Sequence, residues 1–182
     1  MRKLLFCLIL CANAAYIYAQ GPAIRSQKFM GEASLTASLS PNFALHDKEM
    51  LQFGAGFGWN ATRYLYLGAG ASWIQYFSDA SALPVYLNPR LYFANKPDGS
   101  GFIDFRAGCI VYAPDNVING EVVHADRKFP IYAGLGIGHL FSHVSASLGV
   151  DIYPALNETD KITKGVGGYP CACMYFRMAY HF

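Results

Sequence analysis

Between Phe29 and Ser40 apolar and polar positions take turns along the chain. Phe29, Gly31, Ala33, Leu35, Ala37 and Leu39 fall on one side, and Glu32, Ser34, Thr36, Ser38 and Ser40 on the other. A period of two sends successive side chains to opposite faces of an extended backbone, so the stretch predicts a strand with a greasy face and a polar face. The pattern returns from Met50 to Asn60 and, after a tight turn at Ala61 to Arg63, from Tyr64 to about Ile74. It continues from Val85 to Phe93, with Pro89 predicting a bulge, and from Ile103 to Tyr112 beyond the turn NKPDGSG. Ile131 to Gly138, Val144 to Tyr153 and Met174 to Phe182 complete eight alternating stretches. Each is near the roughly 9 to 11 residues that a tilted strand needs to cross a bilayer.

The two faces differ in more than polarity. Five separate strands put Glu32, Arg90, Asp104, Arg106, Asp151 and Arg177 on the polar face, three acids against three arginines, while the apolar face carries essentially no charge. A sparse charged set among glycines and tyrosines is a poor surface for water, yet its members can neutralise one another in a narrow lumen. The opposite face suits hydrocarbon. A soluble ligand-binding barrel of lipocalin type would reverse the two faces, and a membrane barrel keeps the polar one inside. The expected fold is therefore all-β: an eight-stranded antiparallel up-and-down transmembrane β-barrel with a polar, side-chain-filled lumen.

Composition supports that choice. Of 182 residues 53% are hydrophobic and only 14% charged, below the quarter or so usual in soluble domains, yet no apolar run after the N-terminus is long enough for a spanning helix. The connections alternate in length. Pro41 to Glu49, Gln75 to Leu83, Ala113 to Pro130 and Pro154 to Ala172 are the longer set, and Ala61 to Arg63, Asn95 to Gly101 and His139 to Ser142 the shorter. Longer connections belong outside the cell and shorter ones in the periplasm, which places both termini in the periplasm. Trp59 and Trp73 then fall near opposite ends of one hairpin, where interfacial rings gather.

Residues 1–19, MRKLLFCLILCANAAYIYA, combine Arg2 and Lys3 with an apolar stretch and small residues ending at Ala19, the form of a secretory signal peptide. Residues 20–182 are then the barrel domain. Loss of Arg2 and Lys3 balances 14 Lys+Arg against 12 Asp+Glu, so no basic surface favours a nucleic-acid partner. Cys109, Cys171 and Cys173 remain, an odd number in an oxidising compartment, so no disulfide framework is expected. Cys171 and Cys173 could form a soft metal site or a strained disulfide, but two thiols do not complete the usual four zinc ligands, and they read as loop cysteines. No metal or cofactor is expected. His46, His124 and His139 read as surface residues, and the sequon Asn157-Glu158-Thr159 has meaning only in a eukaryotic secretory pathway.

FGAGFGWNATRYLYLGAGASW, residues 53–73, raises a phosphate-loop question that its period answers. Phosphate loops set glycines at a strand-to-helix turn, whereas Gly54, Gly56, Gly58, Gly68 and Gly70 lie inside strands with no helix after them. With Gly134, Gly136 and Gly138 they leave room for Tyr86, Arg90, Tyr92, Arg106, Tyr175 and Arg177, which predicts a filled interior without a wide pore.

The last stretch, MYFRMAYHF, resembles the C-terminal sorting strand of Gram-negative outer-membrane barrels, carried here by Phe176, Met178, Tyr180 and Phe182. With the signal peptide and the strand count, the chain is similar to small eight-stranded outer-membrane barrels of the OmpA transmembrane-domain and OmpX type. The resemblance implies outer-membrane residence, contact with outer-membrane lipid and insertion by the barrel assembly machinery. It implies no single activity. No C-terminal peptidoglycan-binding domain of the OmpA kind is expected beside the barrel, so cell-wall anchoring does not carry over.

Three functions are open at this point. The first is a non-enzymatic structural or surface-interaction protein, meeting an extracellular ligand through Asp115 to Arg127 and Leu156 to Tyr169. The second is a lipid-modifying enzyme. His143 and Ser145 in HLFSHVSASLG, with Glu158 downstream, resemble the His-x-Ser and acid arrangement of outer-membrane lipid A deacylases, although Ala146 replaces the asparagine of that family. A base, nucleophile and acid must meet within hydrogen-bond reach, and the expected topology puts Glu158 at the opposite end from His143 and Ser145. The third is a narrow channel along the lumen charges.

Overall fold

The structure, a computed structural model, describes residues 27–39, 49–76, 81–93, 99–112, 116–118, 121–123, 131–153 and 171–182. The expected signal peptide, Glu158 and most of the two long loops lie outside them. In chain order the strands are β1 (Phe29–Leu39), β2 (Glu49–Asn60), β3 (Leu65–Tyr76), β4 (Ser81–Tyr92), β5 (Ser100–Tyr112), β6 (Asn116–Ile118), β7 (Glu121–Val123), β8 (Ile131–Phe141), β9 (Val144–Tyr153) and β10 (Cys171–His181). Eight of them close into a barrel in the order β1-β10-β9-β8-β5-β4-β3-β2, and β6 and β7 form a separate two-stranded ribbon. All neighbours are antiparallel, and β1 meets β10 to close the ring.

The greasy face is outside. Phe105 is 42% exposed and Leu148 59%, whereas Arg106 is 2% and Asp151 0% exposed. That sidedness is what a barrel in hydrocarbon requires and the reverse of a soluble, inward-greasy barrel. Aromatic rings collect at both rims. Phe29 stacks on Phe57 at 5.9 Å beside Trp59 at the rim with the tight turns, and Trp73 approaches Tyr112 at 6.2 Å at the other. Rings of this kind sit at headgroup depth.

The strands run further than their alternation. β4 starts at Ser81, which shortens the connection expected over Gln75 to Leu83, and β5 starts at Ser100, inside the expected turn. β8 continues through His139 and Leu140 to Phe141, so the turn is the pair Ser142-His143, with Ser142 at φ 52° in the left-handed region. β10 begins at Cys171, so Cys171 and Cys173 belong to a strand instead of a loop. The register shift falls between Leu83 and Pro84 and not at Pro89, which keeps its place opposite Leu67. Both prolines lack an N–H to give the ladder, and the irregularity is taken up at Pro84, near the start of the strand. The β6–β7 ribbon lies in the stretch read as an open loop. Asn119-Gly120 between its strands is a strong hairpin signal that alternation analysis passes over.

Candidate functional site: the lumen

Two apolar clusters occupy the lumen. Near the rim with the tight turns, Met30, Tyr66, Tyr92, Phe102 and Leu140 pack together. Toward the other rim, Met50, Ile74, Ala82, Tyr86, Ile110, Tyr132 and Cys173 do the same. Along β4 and β5 the charged residues fall between members of the two clusters, at Arg90, Asp104 and Arg106.

The six lumen charges join in one alternating chain. Arg90 Nη2 lies 2.7 Å from Glu32 Oε2, and Glu32 also pairs with Arg177. Arg177 Nη1 is 3.8 Å from Asp104 Oδ2, Arg106 Nε is 3.4 Å from the same oxygen, and Arg106 Nη2 is 3.1 Å from Asp151 Oδ1. Each arginine therefore touches a carboxylate, as charges removed from water require. Arg90 and Asp104 oppose one another across β4 and β5, yet the guanidinium of Arg90 turns to Glu32 on β1.

Aromatic faces hold the guanidinium groups in place. Arg90 lies 4.7 Å from the ring centre of Phe102 and 5.4 Å from that of Tyr66, and Arg106 lies 4.3 Å from that of Tyr175. A ring's negative face supports a cation while covering it. Arg106 Nη1 also donates to Tyr132 Oη at 3.1 Å, and Tyr175 Oη donates to Asp104 Oδ1 at 3.4 Å.

The glycines are the floor on which these groups lie. A Cβ on Gly68 would fall 2.6 Å from Tyr66 Oη, and one on Gly70 3.1 Å from the Tyr86 ring. A Cβ on Gly136 would meet Tyr175 Oη and Asp104 Oδ1, and one on Gly134 would come within 3.3 Å of Arg106 Nε. Small residues make space for large ones, from the same strand at Gly68 and from other strands at Gly70, Gly134 and Gly136, and none of these glycines opens a helix.

His143, Ser145 and Glu158 are not assembled as a catalytic trio among the described residues. His143 sits in the Ser142-His143 turn, with Nδ1 3.0 Å from Ser142 Oγ and its ring stacked on Tyr180 at 6.1 Å. Ser145 instead reaches His181, Oγ to Nε2 at 2.8 Å, and His181 Nδ1 lies 3.6 Å from Glu32 Oε2. His181 escapes sequence reading because it stands within the apolar alternation of the last strand. Its place on the polar face, opposite Glu32, is the signal that could have found it. Ser145 and His181 are 4% and 0% exposed.

Of the sorting-strand residues, Phe176 and Phe182 are exposed on the lipid-facing side, and Met178 and Tyr180 are half-buried on it. Cys173 is buried in the lumen, and Cys109 is half-buried on the outer face. Among the described residues, no cluster of His, Cys, Asp or Glu could hold a metal ion.

No family model matches the chain, and no curated protein matches it in sequence. Solved structures do. The chain is similar to Neisserial surface protein A (NspA), with a TM-score of 0.53 at 11% identity over 85% of this chain and 96% of that one. The fold is that of a small outer-membrane β-barrel. The outer membrane enzyme PagL matches with a TM-score of 0.52 at 12% identity, over 83% of this chain and 98% of its own. The N-terminal barrel domain of Pseudomonas aeruginosa OprF gives 0.50 at 13% identity, over 84% and 97%. Identities this low speak to architecture alone. The neighbours include an enzyme, so the shared barrel assigns no role.

Proposed function

We propose that this protein is an integral outer-membrane barrel with a sealed lumen, a non-enzymatic structural or surface-interaction protein whose contacts are made by its extracellular connections. The observation that carries this reading is the lumen itself. A neutral chain of six charges lies among two apolar clusters inside an apolar exterior. Such an interior stabilises a wall, and side chains that fill it in this way support a closed barrel over a channel. Both termini lie in the periplasm, and the segments Asp115 to Arg127 and Leu156 to Tyr169 face outward to an extracellular ligand. The protein reaches its place through the export route and the barrel assembly machinery.

Electrophoresis of the membrane fraction with and without heating tests compartment and barrel together. The folded band should migrate faster and shift on boiling. Planar-bilayer recording should give no step conductance, and regular openings would favour the channel reading. An epitope placed between Asp115 and Arg127 should be labelled on intact cells, and labelling only after permeabilisation would reverse the orientation.

A second reading attaches to Ser145. The Glu32 carboxylate favours a proton on Nδ1 of His181, which leaves Nε2 to accept from the Ser145 hydroxyl, the order of groups that activates a serine for acyl transfer. Against it, Glu32 is already engaged by two arginines, and Ser145 is only 4% exposed. Ser145-dependent labelling of the folded protein by a fluorophosphonate, or a change in the lipid A mass spectrum on expression, would promote this reading over the first.

A further inference from the structure

Six of the eight barrel seams are hairpins between strands next to one another in sequence, and the seam between β5 and β8 is spanned by one loop that contains a ribbon of its own. A hairpin takes its register from its turn. The seam between β1 and β10 has no connection, because it joins the two ends of the chain, so its register has to be written in side chains. A slip of one residue would send Arg177 into lipid and is excluded by the alternation. The real competitors are slips of two, which keep every side chain on its own face.

We infer that a two-part key on β1 and β10 sets this closing register, each part rejecting one of the two slips. The first part is a ring over a glycine. Gly31 and Phe182 exchange both backbone hydrogen bonds, at 2.7 and 3.1 Å. The Phe182 ring lies across Gly31, where a Cβ would come within 2.8 Å of Cδ2. Gly31 is the only glycine on β1. Moving β10 by two residues in one direction would put Phe182 opposite Phe29, whose ring already stacks on Phe57 at 5.9 Å. The knob would meet another knob.

The second part is charge. In the observed register Glu32 faces His181, and Arg177, opposite Thr36, reaches back to Glu32. Moving β10 by two residues in the other direction would set Phe182 opposite Ala33, a small residue that the ring alone would tolerate. It would also carry Arg177 to a place opposite Ser38 and His181 to one opposite Ser34, drawing both away from Glu32. A buried carboxylate that loses such a partner is strongly destabilised, so this slip fails on charge where the first fails on shape.

Lumen-facing cysteine pairs read the three registers. Ser34→Cys with Ala179→Cys are direct partners in the observed seam. Thr36→Cys with Ala179→Cys become partners only in the slip that strains the charges, and Ser38→Cys with native Cys173 only in the slip that strains the ring. In the observed register these last two pairs are diagonal, beyond the Cα separation a disulfide accepts. The first pair is placed in a background lacking Cys109, Cys171 and Cys173, as is the second, and the third retains Cys173 alone. Each full mature chain is folded in detergent under oxidising conditions, and linked product is scored only in the heat-modifiable band. The unaltered seam should give the 34–179 bond. Adding Phe182→Ala should raise the 38–173 bond, and adding Arg177→Met the 36–179 bond, each by about fivefold or more over its background. Retention of the 34–179 bond alone in both variants would overturn the inference. If Arg177→Met does not fold, Phe182→Ala decides, since it leaves every lumen side chain in place. Failure of the slipped bond to rise there refutes the key.

Discussion

Removing Arg106 should be the most damaging single change to the lumen. Its guanidinium lies 3.1 Å from Asp151, 3.4 Å from Asp104, 3.1 Å from Tyr132 Oη and 4.3 Å from the centre of the Tyr175 ring. Those partners stand on β9, β5, β8 and β10, so one side chain ties four strands. Arg106→Met keeps most of the stem and deletes the charge. Breaking a buried pair from one side costs about 3 to 5 kcal/mol, and a covered cation on a ring adds roughly 0.5 to 2. Asp104 keeps Arg177 at 3.8 Å, which offsets part of the loss. A net destabilisation of about 3 to 5 kcal/mol is expected. Urea titration of the heat-modifiable band in detergent measures it. Most of the penalty belongs to the carboxylate left behind, so Arg106→Met with Asp151→Asn should recover about 1 to 3 kcal/mol of the single variant's loss. A single variant within about 0.5 kcal/mol of the parent would refute the charge-chain reasoning, because that is the range of surface substitutions away from any special feature.

Three further outcomes test the sidedness and packing. Leu148→Arg puts a charge on the lipid face and should destabilise by about 2 to 4 kcal/mol if the site is near the midplane, read in the same titration. Gly136→Val drives a branched side chain into Tyr175 and Asp104, and it should lower stability by about 1 to 3 kcal/mol while leaving the exterior unchanged. Trp59 and Trp73 fluorescence should be quenched more by lipids brominated near the headgroup than by lipids brominated near the chain end, and the opposite order would move both rings away from the rims.

The fold was legible because its two faces meet two different surroundings, hydrocarbon outside and a packed polar interior within. Leu35, Phe53, Leu87 and Leu148 had to differ from Glu32, Arg90 and Arg177 along every strand, and that difference is visible in one dimension. Strand ends were harder. His139 and Leu140, or Cys171 to Cys173, lie where lipid gives way to water, and there the contrast between faces fades before the hydrogen-bond ladder stops. The bulge went to Pro84 instead of Pro89, a choice decided by pairing with β5 that no local pattern records. In the lumen, sequence could name which charges face inward and, given closure of the first strand on the last, that Glu32 meets Arg177, but not the remaining contacts. Arg90 reaches past its cross-strand partner Asp104 to Glu32, 58 residues away in sequence, because a long guanidinium spans a narrow barrel. The Ser145–His181 hydrogen bond was hidden for the same reason, since it joins chain positions 36 residues apart.

The charge chain runs from strand wall to strand wall, through β1, β4, β5, β9 and β10, and borrows nothing from the described turns. A cylinder braced by its own spokes asks little of what is hung from its upper edge. Foreign peptides spliced between Ala113 and Pro130 should therefore leave the frame intact, and with the orientation we propose this small barrel becomes a chassis for presenting sequences at a cell surface.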